Sequence, residues 1–146
     1  NFFHGHTVNA GQTIGLDGYE VLSLKLNHVI PTLGYAITSE QGETVAIISD
    51  TGALDQVWDR LNQLERLDAV FLDIAFPNRM QWLADKSMHL CPRLVADEMK
   101  KLRHDVSWYA IHLKPAFFEE IQAEVRQDLP FFDIVEAGAE ITIRSQ

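Results

Sequence analysis

The hydrophobic pattern of the chain changes near residue 50, and this change constrains the fold more than any other feature. Before it, three segments read as strands: Tyr19–His28, Gly34–Thr38 and Thr44–Ser49. The first alternates apolar and polar positions, and the third is a continuous apolar run, as expected for half-buried and buried strands. Gly42 supplies a turn signal between the second and the third. This part of the chain is therefore predicted to form an antiparallel meander.

Beyond residue 50 the pattern alternates between helix and strand. Leu54–Leu67 carries apolar residues at helical spacing, and Ala69–Ile74 is a second buried strand. The remaining predicted elements are a helix over Pro92–Leu102, a strand over Val106–Ile111, a helix from Pro115 to about Gln127, and a last strand over Glu140–Ile143. Antiparallel strands followed by βα units predict a mixed α/β fold.

Length and composition predict a single domain over residues 1–146. Nearly half of the residues, 47%, are apolar, which is enough to bury a core at this chain length. The one cysteine, Cys91, has no partner in the chain, so the sequence does not encode a disulfide framework. We expect a reducing compartment and favour the cytoplasm, although the pattern also fits a periplasmic protein. The sequence contains neither a long apolar run nor a signal-peptide pattern, so a membrane is not an expected partner.

The charge of the chain bears on the kind of ligand. Its formal net charge is −9, whereas proteins that bind DNA or RNA neutralise phosphates mainly with lysine and arginine. The basic run Lys100–Arg103 lies at the end of a predicted helix, where cations also complement the helix dipole. The sequence therefore argues against a nucleic-acid partner and favours a small ligand.

Several metal-competent side chains follow predicted strands. His28, Asp50 and His112 each come at the end of one, and Asp73 lies within the apolar run Ala69–Ile74. Each has an ordinary alternative, because such residues often lie at the surface or cap turns and helices. Ligands in α/β sheets gather beyond the carboxyl ends of strands, however. Together, these residues predict a functional edge of the sheet.

Four segments, His28–Ala36, Ile48–Gly52, Phe71–Asn78 and Ile111–Pro115, follow one another in the order of the late motifs of a known family. They resemble the class II cyclic-nucleotide phosphodiesterases, which have a metallo-β-lactamase-like αββα sandwich fold. The stretch Ser87–Pro92 resembles the family's His-Leu-Thr-Pro segment, with cysteine where threonine is usual. The resemblance extends from about Tyr19 to the end of the chain, and its Phe-Pro-Asn and His-Leu-Lys-Pro pieces are the most specific.

The resemblance implies a site with two divalent metal ions, for which the mixed imidazole and carboxylate set suits zinc. His28 and His112 would each be ligands to one metal, and Asp50 would bridge the two and take part in catalysis. His89 would contact the phosphate or protonate the leaving oxygen. Its alternative is a residue near the start of the helix at Pro92. Asp73 would orient a histidine or would be a buried strand residue bonded to the backbone.

One part of the family pattern is not matched. The family's first metal motif is His-x-His-x-Asp-His, but His4 and His6 are followed by Val8 and Asn9 where aspartate and histidine are needed. We interpret the two histidines as loop residues. The chain is then expected to be the C-terminal portion of a larger metallo-hydrolase domain. It would need the N-terminal half, or a second copy in a homodimer, to cover the sheet and complete the site.

The function implied by the resemblance is hydrolysis of the phosphodiester bond of 3′,5′-cyclic nucleotides such as cyclic AMP or cyclic GMP. A tRNA 3′-processing endonuclease is a second enzyme hypothesis, and the acidic balance of the chain argues against it. The third hypothesis is a non-catalytic scaffold with a degenerate metal site.

Overall fold

The computed structural model describes residues 7–143. His4 and His6, interpreted above as loop residues, lie outside the described residues. The strands form one seven-stranded sheet in which spatial order follows chain order. The strands are β1 (Thr13–Leu16), β2 (Tyr19–Lys25), β3 (Leu33–Thr38), β4 (Thr44–Ile48), β5 (Ala69–Asp73), β6 (Ser107–Ile111) and β7 (Phe132–Ile134).

The sheet changes from antiparallel to parallel at β4, which confirms the change of pattern seen in the sequence. Strands β1 to β4 pair antiparallel, and β4 to β7 pair parallel. Asp17 and Gly18 connect β1 to β2 with φ angles of 47° and 85°, the backbone of a type I′ hairpin turn. The parallel strands are joined by helices, because a parallel connection must cross back over the sheet.

Within the described residues there are four helices: α1 (Gln56–Leu61), α2 (Gln81–Ser87), α3 (Pro92–Met99) and α4 (Phe118–Asp128). Short 3₁₀ turns over Asn78–Met80 and Pro115–Phe117 precede α2 and α4. Residues of α1, α3 and α4, among them Trp58, Val95 and Ile121, belong to one buried cluster with Ile48 of β4 and Leu72 of β5. The core therefore lies on one face of the sheet. Within residues 7–143, no helix has the length and apolar content needed to cross a membrane.

The opposite face of the sheet is apolar but open. Tyr35, Ile47, Phe71 and Tyr109 are in register across β3 to β6, and the rings of Phe71 and Tyr109 stack with centroids 4.7 Å apart. Ile47 is 39% exposed, whereas its neighbour Ile48, on the core face, is fully buried. We call the row Tyr35, Ile47, Phe71 and Tyr109 the open face.

Two predicted elements differ most from the structure. The predicted helix Leu54–Leu67 is shorter, since α1 ends at Leu61. Asn62 fixes the turn that follows, because its side chain donates to the Lys101 carbonyl and accepts from the Arg103 N–H.

The predicted last strand, Glu140–Ile143, is wrong. The strand that pairs with β6 is β7, which the prediction missed. Phe132 of β7 stacks on Trp108 with ring centroids 5.3 Å apart, so this segment buries apolar surface. Glu140–Ile143 is exposed or only half-buried and forms no strand. Strand β1 and helix α2 were also missed, because both are short and have few buried residues.

Gly34 of β3 is predicted to be required by close packing of the strands. A Cβ atom there would lie 2.7 Å from the Ile47 carbonyl oxygen, so Gly34→Ala should lower the free energy of unfolding by about 1–3 kcal/mol. Gly15→Ala is the matched control, because a Cβ atom at Gly15 would meet nothing within 4 Å. Chemical denaturation measures both, and equal stability of the two variants would contradict the prediction.

Candidate metal centre

A cluster of four polar side chains lies at the carboxyl ends of the central strands. Asp73 is the last residue of β5, Asp50 lies two residues beyond β4, and His112 directly follows β6. His89 joins them from the loop between α2 and α3. One ligand atom from each of the four side chains lies within 4.8 Å of those of the other three. The parallel arrangement of β4, β5 and β6 produces this convergence, because the carboxyl ends of parallel strands share one edge of the sheet.

The His112 imidazole lies between the two carboxylates. Its Nδ1 atom is 2.8 Å from Oδ1 of Asp50 and 3.5 Å from Oδ1 of Asp73. His112 has a φ angle of 63°, in the left-handed region that residues with a Cβ seldom adopt. Such strain often occurs at functional sites. The Asp73 carboxylate raises the pKa of His112 above its ordinary value; partial burial opposes this shift, and the Asp50 charge adds to it.

Asp73 is fully buried and is the centre of the cluster. Its Oδ2 atom accepts a hydrogen bond of 2.7 Å from His89 Nδ1 and one of 2.9 Å from the Thr51 N–H. Its Oδ1 atom has no hydrogen-bond partner within residues 7–143. Burial alone would raise the pKa of Asp73, but His112, His89 and the Thr51 N–H lower it below its ordinary value. Asp73 is therefore an ionised carboxylate whose Oδ1 atom accepts no hydrogen bond and has the His112 Nδ1 atom, 3.5 Å away, as its charged neighbour.

The loop before α3 holds His89 against Asp73. Met88 ends α2 with a left-handed φ of 55°, and the His89 N–H donates to the Ala84 carbonyl at 2.9 Å. The Leu90 carbonyl accepts from the N–H of Ala75, just beyond β5, at 3.0 Å. His89 is only 7% exposed. These contacts fix the imidazole in place before any ligand binds.

His28 lies beside the cluster but outside the group of four. Its ring centroid is 4.9 Å from that of His89, and its Nδ1 atom lies 3.1 Å from the Met88 carbonyl oxygen. Strand β2 ends at Lys25, so His28 lies on the loop that follows the strand. Asn27 ties that loop to the segment after Asp50, because its carbonyl accepts from the Gly52 N–H at 2.8 Å.

The donor set fits a divalent cation. Two carboxylates and two imidazoles are the ligand types that zinc and similar metals accept in proteins. A cation at the cluster would also bind the buried Oδ1 atom of Asp73, which accepts no hydrogen bond, since a buried carboxylate oxygen without one is costly. The described residues could therefore hold a metal ion.

All the site residues predicted from the sequence come to this one edge of the sheet. Asp50, His89 and His112 are members of the cluster, and His28 contacts His89. The sequence left the role of Asp73 open, and the structure shows that it orients His89. The sequence signal for Asp73 was its position as a single acidic residue within the apolar run Ala69–Ile74. A buried charge is costly there unless it is paired or binds a metal.

Comparison with known proteins supports the fold through structure and not through sequence. No protein-family profile and no curated protein matches the sequence. Solved structures do match. The metallo-beta-lactamase fold protein YhfI from Bacillus subtilis is 15% identical, with a TM-score of 0.74 over 93% of this chain and 54% of its own.

Two further structures extend this likeness. The short form of human tRNase Z is 16% identical, with a TM-score of 0.69 over 90% of this chain and 46% of its own. A diphosphatase from the PhnP family is 19% identical, with a TM-score of 0.67 over 92% of this chain and 46% of its own. The chain thus has the metallo-β-lactamase fold, and it spans about half the length of the structures that it matches.

Proposed function

We propose that the protein is a metal-dependent hydrolase that cleaves phosphodiester bonds, with 3′,5′-cyclic nucleotides as its substrates. The observation that carries this proposal is the buried Asp73–His89 pair within a cluster of metal-competent side chains. A carboxylate that fixes an imidazole next to a cation site combines the two devices that phosphate-ester hydrolysis uses, proton transfer and charge stabilisation. Both the human tRNase Z and the PhnP-family diphosphatase share this fold.

The metal would be held by Asp50, by His112 and by the Oδ1 atom of Asp73, and we propose His28 as a further ligand to a second ion. A bound divalent cation, for which we propose zinc, lowers the pKa of water and draws charge from the phosphate oxygens. The two carboxylates offset part of the positive charge that such ions bring. Asp50, whose Oδ1 atom lies 2.8 Å from His112 Nδ1, is the residue we propose as the bridge.

His89 is proposed to give a proton to the leaving oxygen. The ionised Asp73 accepts the hydrogen bond from Nδ1 of His89 and thereby fixes the ring orientation and the tautomer. The protonated ring carries a second proton on Nε2, and that is the proton to be transferred; its loss leaves the neutral Nδ1–H tautomer. Low exposure of the imidazole keeps bulk water from competing with the leaving oxygen for that proton.

The charges of the chain favour a small substrate over tRNA. Two lysines of the basic run are engaged with acidic side chains: Lys100 pairs with Asp97, and Lys101 pairs with Asp55 and Glu98. Those cations are therefore not available to neutralise the phosphates of a polyanion. Because the protein chain has a net charge of −9, most of its surface would repel an RNA backbone.

Hydrolysis assays with cyclic AMP, cyclic GMP and a precursor tRNA test the proposal. We expect zinc-dependent hydrolysis of a cyclic nucleotide, loss of that activity with a chelator, and no cleavage of the tRNA. Cleavage of the tRNA alone would replace the proposal with an endonuclease. Failure to hydrolyse any phosphodiester in the presence of zinc would support the scaffold hypothesis.

We further propose that a second β-sheet, the other half of the metallo-β-lactamase fold, covers the open face. The support is the apolar row across β3 to β6 and the span of the chain, about half the length of its structural neighbours. An apolar area of this width left in water would promote association. Such a sheet could also bring the metal ligands that the sequence pattern of this chain lacks.

Paired substitutions at Ile47 and Ile48 test whether the open face is covered. In the whole protein, Ile47→Lys is expected to lower the free energy of unfolding by roughly 2–4 kcal/mol, because it would bury an unpaired charge. Ile48→Lys, on the core face, should lower the free energy of unfolding by at least as much. A harmless Ile47→Lys would show that the face is in contact with water. A mass twice that of the chain, measured by sedimentation, would show instead that a second copy covers the open face.

A further inference from the structure

We propose that Lys114 binds the phosphate oxygens of the substrate and selects for anionic phosphate esters; this inference rests on the proposed function. Lys114 follows His112 by two residues and precedes Pro115. A residue before proline is held in an extended conformation, and Lys114 has φ and ψ angles of −68° and 126°. The backbone that carries the lysine is therefore fixed relative to the cluster.

The Phe76 ring contacts both the Lys114 ammonium and the His89 ring. The Lys114 Nζ atom is 5.2 Å from the ring centroid of Phe76, and the Phe76 ring is in edge contact with the His89 ring, with centroids 5.8 Å apart. Phe76 is only 5% exposed, so its ring is a firm support for the lysine side chain. A cation over an aromatic face is attracted to it without losing its charge.

No carboxylate neutralises this cation. Within residues 7–143, the Lys114 side chain takes part in no ion pair or hydrogen bond; its backbone carbonyl accepts from the Phe117 N–H at 2.9 Å. Arg79, which also lies over an aromatic ring, differs in this respect. It lies over Phe117 and donates two hydrogen bonds, of 2.8 and 3.0 Å, to the Glu120 carboxylate.

The positive charge of Lys114 complements the charges of the cluster. The cluster itself contains two carboxylates, Asp50 and Asp73, which repel an anionic substrate. An unpaired ammonium at its rim offsets this repulsion, and charge-assisted hydrogen bonds to phosphate oxygens are among the stronger polar contacts.

Titration calorimetry with inorganic phosphate tests the proposal on the zinc-loaded protein. We expect Lys114→Met, which keeps the apolar stem and removes the charge, to weaken phosphate binding by roughly tenfold to a hundredfold. Lys114→Arg should restore most of the affinity. Lys100→Met is the matched control, because it removes the same charge from an exposed site just beyond α3 and should leave phosphate binding unchanged.

Bound zinc and the thermal midpoint are measured for each variant and should not change with Lys114→Met. The proposal is overturned if phosphate binds Lys114→Met as tightly as the unaltered protein, or if the unaltered protein does not bind phosphate. It is also overturned if the variant loses zinc or unfolds at a clearly lower temperature, because Lys114 would then be structural. If phosphate binding falls as expected but no phosphodiester is hydrolysed, the proposed function fails and Lys114 remains an anion contact.

Discussion

Under the proposed function, Asp50→Ala is expected to lower the rate of phosphodiester hydrolysis by about a thousandfold or more and to leave the fold intact. Loss of a carboxylate from a cation site removes several kcal/mol of charge stabilisation, and each 1.4 kcal/mol is about a factor of ten in rate. Asp50 is exposed enough that its loss opens no cavity; its contact in the cluster is the 2.8 Å pair with His112. Steady-state kinetics with the preferred cyclic nucleotide measures the loss, and circular dichroism checks the fold.

Asp59→Ala is the control for this result, because Asp59 is an exposed residue of α1 away from the cluster. It removes the same charge and should retain full activity. An Asp50→Ala protein with unchanged hydrolysis would place the chemistry elsewhere. If the unaltered protein has no activity either and Asp50→Ala changes neither its metal content nor its stability, the scaffold hypothesis would be preferred.

Glu98→Ala is expected to lower the free energy of unfolding by about 3 kcal/mol and to leave the metal centre unchanged. Glu98, on α3, is 3% exposed, and its Oε2 atom accepts hydrogen bonds from the Leu54 N–H at 2.9 Å and from Trp58 Nε1 at 2.6 Å. Its Oε1 atom accepts from Lys101. Removal of the carboxylate leaves two buried donors without acceptors, and each orphaned group costs about 1–3 kcal/mol. Urea denaturation gives the change in the free energy of unfolding.

The neighbouring acid Asp97 provides a matched control. Asp97 also pairs with a lysine, Lys100, but both side chains are about two-thirds or more exposed. Such pairs contribute little, so Asp97→Ala should change stability by less than about 0.5 kcal/mol. Equal effects of the two substitutions would mean that the Glu98 contacts do not hold α1 to α3.

The sequence predicted the layout of the sheet because burial imposes simple patterns on strands. The apolar run Thr44–Ser49 identified β4, and the strand ends predicted Asp50 and His112 as partners at one edge, where the structure brings them within 2.8 Å. The helix Leu54–Leu67 was predicted too long because apolar spacing continues past Leu61. The side-chain hydrogen bonds of Asn62 that turn the chain there join residues about forty positions apart.

The features that the sequence did not give depend on long-range contacts and on backbone strain. Glu140–Ile143 reads as a strand, but Phe132 packs on Trp108 and takes the place beside β6. The link between Asp73 and His89 depends on the left-handed backbone of Met88, a residue that rarely adopts it. No local sequence pattern predicts such a backbone conformation. The role of Asp73 therefore required the structure.

Elemental analysis of bound metal tests the central claim most directly. The purified protein is equilibrated with zinc, freed of excess metal and compared with Asp50→Ala and His112→Ala treated in the same way. We predict a stoichiometric amount of zinc on the unaltered protein and loss of most of it from both variants, because their side chains supply ligands at the cluster. A protein that retains no divalent metal, or variants that retain as much as the unaltered protein, would contradict the assignment of this edge of the sheet as a metal centre.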